Sequence, residues 1–181
     1  TGNREAILLH LVQPMPMLQC PSETGYSGVP YISYYMNYGS QLPGHSEDVG
    51  NGFHGGYRSL TTRDVTDGLS QTAILSEVIA GDQVDPHGRY WKLTSRSYTL
   101  GDESRFADDC KAMPRAAGDL FEYFTSGWAY HPFNHYHHFL PPNHRSCLTR
   151  QGFEARNTAS RHPGTAQTAY ADGSVRATSR F

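Results

Sequence analysis

The sequence predicts an α+β fold, a mainly antiparallel β-sheet with long loops that is closed by a C-terminal β-hairpin. Three observations lead there. The strand-compatible runs are short and are separated by Gly- and Pro-rich stretches. One segment, Ser104 to Met113, suits a short helix. Near the end of the chain, Asp172-Gly173 lies between two strand-compatible runs, and this dipeptide favours the positive backbone angles of a tight turn. A length of 181 residues fits a single domain, 1–181, long enough to bury roughly 70% of its unfolded surface. Leu, Ile, Val and Phe are scarce, but 12 Tyr, 8 Phe and 2 Trp offer large apolar areas, so an aromatic-packed core is expected.

The elements follow in order. Arg4 to Val12 places Ile7, Leu8, Leu11 and Val12 at helical spacing, and Pro14 and Pro16 end any helix there. Met15 to Cys20 reads as a short extended segment running into Pro21. Tyr31 to Tyr38 is an aromatic-rich strand bounded by Pro30 and Gly39. Gln41 to Gly56 lacks any apolar period and reads as a surface loop. Thr62 caps a short turn through Asp67, Gly68 stops it, and Thr72 to Ala80 follows as a strand. Ala73, Leu75 and Val78 break strict alternation, which predicts either burial on both faces or a bulge. Arg89 to Tyr98 is a further strand, with Trp91 and Leu93 alternating against Tyr90 and Lys92. Gly127 to Pro142, crowded with aromatics, His and Pro, is expected to be a packed irregular loop. The hairpin pairs Gln167–Ala171 with Ser174–Thr178 around a two-residue turn at Asp172-Gly173.

Charge and cysteine content exclude several classes. With 15 Lys and Arg against 17 Asp and Glu, the net charge is −2, and no basic run gives a footprint for nucleic acid or an anionic membrane. No stretch approaches the roughly 18 apolar residues of a membrane span, so the chain as it stands is expected to be soluble. The 3 cysteines, Cys20, Cys110 and Cys147, allow one disulfide and leave one thiol over. None forms a Cys-x-x-Cys pair, which excludes a zinc ribbon and a thioredoxin-type site.

Four separated segments carry a family resemblance. Leu18-Gln19-Cys20-Pro21-Ser22 is followed by the aromatic Tyr34 to Gly39 stretch. Arg63 to Thr72, containing Asp67-Gly68, runs on to Glu77. Asn134 to Cys147 contains Leu140-Pro141-Pro142-Asn143 and Ser146-Cys147. His162-Pro163-Gly164 precedes Asp172-Gly173-Ser174-Val175-Arg176 at the spacing of a His-x9-Asp-Gly element. In this order the segments resemble the bacterial prepilin-type H-X9-DG domain family, pseudopilin-like proteins also grouped under a solute-binding label. The resemblance implies a type IV pilin-like globular domain. The family's N-terminal hydrophobic helix has no counterpart in these residues.

The candidate chemistry is weighed against plain structural roles. Pro163 fixes the backbone, Gly164 and Gly173 supply unusual angles, and Asp172 can bond its own turn, so His162 and Asp172 read as scaffold. A strand between them would also hold the two side chains apart. His135 and His137 form a His-x-His spacing that can bind metal from one strand face, but no carboxylate lies near them in sequence and their aromatic neighbours suit a packed loop. The acidic pairs Asp82 with Asp85, Glu47-Asp48 and Asp102-Glu103 lack the spacing of a calcium loop. No cofactor is predicted from the residues. Related secretion pseudopilins hold calcium near the sheet, so the resemblance admits a calcium site built from distant acids. Cys110 and Cys147 are the leading disulfide pair if the chain is exported, both being placed in loop-rich parts. Pairing of Cys20 with either of them stays open.

These readings together predict a non-catalytic structural or assembly component of a cell-surface or envelope filament. It would be exported to the periplasm, cell surface or exterior, with protein partners or self-assembly through exposed loop Tyr and Phe. The alternatives are an extracellular ligand-binding module gripping its ligand with aromatics such as Trp128 and Tyr136, a metal-binding module, and a metal-dependent hydrolase using the His cluster.

Overall fold

A computed structural model describes residues 15–23, 31–42, 50–53, 60–79, 90–93, 97–113, 120–121, 135–149 and 154–179. The expected helix at Arg4–Val12 lies outside them. The described elements are β1 (Tyr34–Gly39), β2 (Ala73–Glu77), β3 (Tyr90–Leu93), α1 (Glu103–Ala112), β4 (Leu120–Phe121), β5 (His135–His137), β6 (Ser146–Thr149), β7 (Glu154–Ala155), β8 (Thr165–Tyr170) and β9 (Val175–Ser179). The class is α+β: two sheets and one α-helix among the described residues.

The larger sheet has five strands in the order β5-β1-β2-β8-β9, and the smaller has four in the order β4-β3-β6-β7. Most neighbours are antiparallel, as expected, but β5 runs parallel to β1 and β6 runs parallel to β3. The β2–β8 register shifts between Ala73 and Leu75, which accounts for the broken alternation in that strand.

Each sheet has its own apolar cluster. Leu42, Trp91, Leu93, Tyr98, Phe106 and Cys110 pack with Cys147 and Ala155 where α1 covers the smaller sheet, and Ile32, Tyr35, Val78 and Tyr136 pack against the larger one. Tyr35, Tyr98, Tyr136 and Phe106 are among the largest fully buried side chains. Aromatic volume thus replaces the missing aliphatics, and the Tyr98 and Phe106 rings meet edge to face at 5.1 Å.

Several local expectations are corrected. Pro16 opens a 3-10 turn at Pro16–Leu18 where an extended segment was expected, because a ring-fixed φ suits the first position of a turn. Thr61, one residue before the expected cap, takes that role: its N–H and hydroxyl both donate to Asp64, at 2.7 and 2.8 Å. Leu42 is buried, and Gly52 donates to the Tyr38 carbonyl at 2.9 Å, so the described parts of the Gln41–Gly56 loop pack against β1. Within Gly127–Pro142, residues His135–His137 form a strand instead of irregular loop. Pairing with β1 supplies backbone partners that the local sequence does not advertise.

The C-terminal hairpin is present, but its loop has three residues. Ala169 faces Val175, the Tyr170 N–H donates to the Ser174 carbonyl, and the Gly173 N–H returns to the Tyr170 carbonyl. Gly173 has φ of 84°, so Asp172-Gly173 ends a one-turn loop with a glycine bulge and does not form the two-residue turn expected.

The disulfide joins Cys110 to Cys147 across 37 residues. Neither half sits in a loop: Cys110 is in α1 and Cys147 in β6, both fully buried, so the bridge fastens the helix to the smaller sheet. Cys20 is left as a buried free thiol.

Candidate functional site

The segment from Glu154 to Thr165 decides where the potentially reactive side chains meet. It leaves the smaller sheet at β7, and the Ala159 N–H then donates to the Glu77 carbonyl at the end of β2. Asn143, left-handed at φ 58°, holds this connector from both sides. Its N–H donates to the Thr158 carbonyl, and its side-chain oxygen accepts the Ser160 N–H at 2.8 Å. The preceding Pro141 carbonyl accepts the His144 N–H, so Pro141 and Pro142 serve to turn the chain into Asn143. The connector then bends through His162-Pro163-Gly164-Thr165, with Pro163 at the second turn position and Gly164 at φ 72° at the third, as a type II turn requires.

That turn presents His162 to Cys20 and Glu77. His162 Nε2 is 3.8 Å from the Cys20 sulfur and 3.8 Å from Glu77 Oε1. Donor atoms of all three residues lie within 4.8 Å of one another. Cys20 is fixed by its backbone: its N–H donates to the Ser33 hydroxyl at 2.9 Å, and its carbonyl accepts the Glu23 N–H across a turn containing Pro21. The Glu77 side chain is only 4% exposed, and its Oε2 accepts the Gln167 N–H at 2.7 Å, which ties the end of β2 to β8. His162 closes the group from outside, with its side chain 42% exposed. Burial, and then the negative fields of Cys20 and Glu77, push the nearby Tyr34 phenol above its ordinary range.

His162 and Asp172 are kept apart, as the sequence suggested. Asp172 accepts the backbone N–H and hydroxyl of Ser174, and these bonds hold its carboxyl below the usual range. The Asp172 N–H donates to the Leu69 carbonyl and the Ala171 N–H to the Thr72 carbonyl, so the hairpin tip rests on the loop after Asp67-Gly68. Gly68, at φ 90°, lets its carbonyl accept both the Gln71 N–H and the Thr72 hydroxyl.

His135 and His137 share a strand face: His135 is paired with a carboxylate, while His137 accepts the Arg156 N–H on Nδ1 and keeps Nε2 buried without a hydrogen-bond partner among the described residues. His135 Nε2 lies 2.7 Å from Glu154 Oε1, a carboxylate that β7 brings across space although none is near in sequence. Burial alone would raise the Glu154 carboxyl. The hydrogen bond and charge of His135, with Arg156 close by, outweigh burial and leave it well below the usual range. His137 is fully buried, and burial, followed by the charge of His135, pushes its imidazole well below the ordinary range. His138 is lowered by burial as well.

One other expectation changes. Tyr136 is completely buried and so faces no ligand, while Trp128 lies outside the described residues. The exposed large apolar side chains among the described residues are Met17, Leu100 and Val175; loop aromatics such as Tyr26, Tyr57, Tyr130 and Phe133 lie outside the described residues. Of the acidic pairs, Asp102 accepts the Thr99 N–H and hydroxyl, and Glu103 accepts the Leu42 and Gly101 N–H groups, so both carboxylates order the start of α1. Glu47, Asp48, Asp82 and Asp85 lie outside the described residues.

The Cys20–Glu77–His162 meeting was missed in the sequence because each residue reads as scaffold within its own segment. No helix among the described residues is long and apolar enough to cross a membrane. No curated protein and no solved structure matches the chain. Across residues 2–181 the sequence matches the family described as "Protein of unknown function (DUF1559)", and the chain belongs to that family.

Proposed function

We propose that this chain is an exported, pilin-like structural domain of the cell envelope that assembles with copies of itself through its C-terminal hairpin. The observation that carries the reading is the outer edge of β9. No strand pairs with that edge among the described residues, and Val175, Arg176, Ala177 and Ser179 are exposed along it. An edge without a strand partner among the described residues, carrying an apolar residue that is 63% exposed, is a template for strand addition by another chain. The Cys110–Cys147 bridge fits an oxidising compartment outside the cytoplasm. The turn-building roles of Gly164, Gly173 and Asn143 support a scaffold.

Sedimentation of the wild-type chain against Val175→Asp tests this reading. Concentration-dependent association that the variant abolishes is the expected result. A wild-type chain that stays monomeric throughout the titration overturns it.

A binding role has one observation in its favour, an open cleft of about 410 Å³ lined by residues that include Asn37, Asp64, Asp67, Gln71, His138 and Tyr170. Its polar lining suits a small polar solute. Saturable binding of such a solute, lost in Asp67→Ala, would move the reading to a binding module.

A further inference from the structure

We propose that Cys20, Glu77 and His162 form a three-ligand site for a zinc-class divalent cation, with a fourth position open to water on the His162 side. The inference does not rest on the assembly reading.

The first argument is convergence. Both the Cys20 sulfur and Glu77 Oε1 approach the same imidazole nitrogen, Nε2 of His162, at 3.8 Å each. In a cysteine–histidine–carboxylate relay, the thiol and the acid would engage opposite nitrogens of the ring, so that the acid orients the base. Two donors facing one nitrogen cannot pass a proton along. They can share an ion placed between them.

The second argument is size. Zinc bonds of about 2.0–2.3 Å place tetrahedral sulfur, nitrogen and oxygen ligands about 3.4–3.6 Å from one another. Two of the three separations are 3.8 Å, and the donor group as a whole spans no more than 4.8 Å. A contraction of a few tenths of an ångström on the two His162 edges, and of up to about 1.2 Å on the Cys20–Glu77 edge through side-chain rotation, closes the site.

The third argument is electrostatic. The Glu77 carboxylate is 4% exposed, and its backbone partner takes only Oε2, so Oε1 points into the cluster at beyond hydrogen-bond distance from His162. A divalent ion bound to one thiolate and one carboxylate gives a site with no net charge. Binding replaces the thiol S–H bond with a sulfur–metal bond and releases that proton to solvent. His162 gives its Nε2 lone pair and keeps its proton on Nδ1. The Gln167 N–H, already on Oε2, orients the carboxylate from behind. A thiolate with an imidazole favours zinc over calcium or magnesium, which take oxygen ligands.

Cobalt(II) is the probe, because Cys20 is the one thiol outside the disulfide. The full chain, metal-stripped and with its disulfide intact, is titrated with cobalt(II) and then with zinc(II). The expected result is one ion per chain, a thiolate-to-cobalt charge-transfer band that zinc bleaches, and loss of the band in Cys20→Ser. His162→Ala should weaken zinc binding at least about tenfold. The half-exposed His162 makes this variant compatible with the native fold, and circular dichroism checks it, so the test stands even if Cys20→Ser or Glu77→Gln fails to fold. Cobalt bound without a thiolate band, as at His135 or His138, overturns the proposal. So does a His162→Ala chain that keeps wild-type affinity.

Discussion

His137 and Arg156 bond to each other twice: the His137 N–H donates to the Arg156 carbonyl at 2.7 Å, and the Arg156 N–H donates to Nδ1 of His137 at 3.2 Å. The second bond places the imidazole proton on Nε2. β5 belongs to the larger sheet, and Arg156 directly follows β7 of the smaller one, so this reciprocal pair joins the two sheets. His137→Ala would leave a cavity and an orphaned Arg156 N–H. A loss of about 2–4 kcal/mol in urea denaturation is expected. A loss within the range of an ordinary surface substitution would show that the joint is not structural.

The same histidine makes stability depend on pH. Its folded-state pKa is depressed by burial, so below the ordinary histidine value the unfolded chain binds a proton that the folded chain refuses. Its contribution is complete above pH about 6.5 and declines as pH falls below that, at up to about 1.4 kcal/mol per pH unit. Glu154, also depressed, adds its own loss only at lower pH, once the unfolded carboxylate begins to protonate. Denaturation midpoints at several values from pH 8 to 5 should fall toward acid, with no change across the alkaline part. A flat profile down to pH 5 would contradict the burial of a neutral His137.

Breaking the bridge between Cys110 and Cys147 should weaken the fold substantially. Closing a loop of 37 residues stabilises by about 3–4 kcal/mol on the chain-entropy account. Denaturation of Cys110→Ala/Cys147→Ala measures it. Thiol counting on the denatured chain should give one reactive group before reduction and three after.

Two glycines with left-handed backbones should respond differently to alanine. At Gly173 an added Cβ meets open space, so Gly173→Ala should cost only the backbone term, about 1 kcal/mol. At Gly39 the same atom would collide with Asn51 Oδ1 and the Gly52 backbone nitrogen. Those atoms are held by the Ser40 N–H and the Tyr38 carbonyl, so Gly39→Ala should cost several times more. Thermal melts of the two variants side by side test the ranking.

Features set by neighbouring residues were legible in the sequence. Asp172-Gly173 between two strand-compatible runs gave the hairpin, and the Ser104–Met113 stretch gave the helix within a residue at each end. Trp91 and Leu93 are buried with Lys92 partly exposed between them, as their alternation implied. What could not be read depends on distant chain. β5 is a strand because Gly39 and its neighbours pair with it, and nothing in His135–His137 itself encodes a parallel partner from β1. Glu154 was invisible as a neighbour of His135 because β7 carries it across space. The Cys20–Glu77–His162 group is formed by three turns and strand ends, one of its contacts spanning 142 positions.

The placement of β8 beside β2 sets the order in which the polypeptide can mature. Ser76 and Thr168, 92 positions apart, exchange a hydroxyl hydrogen bond at 3.0 Å in the middle of that joint. Until synthesis has passed Tyr170, β2 has no neighbour on that side and the buried carboxylate of Glu77 lacks the Gln167 amide. A nascent chain arrested earlier therefore carries an uncompleted layer with a bare flank. Such a nonlocal closure is intrinsically slow, and fragments ending before that point are expected to be substrates for holding chaperones and proteases.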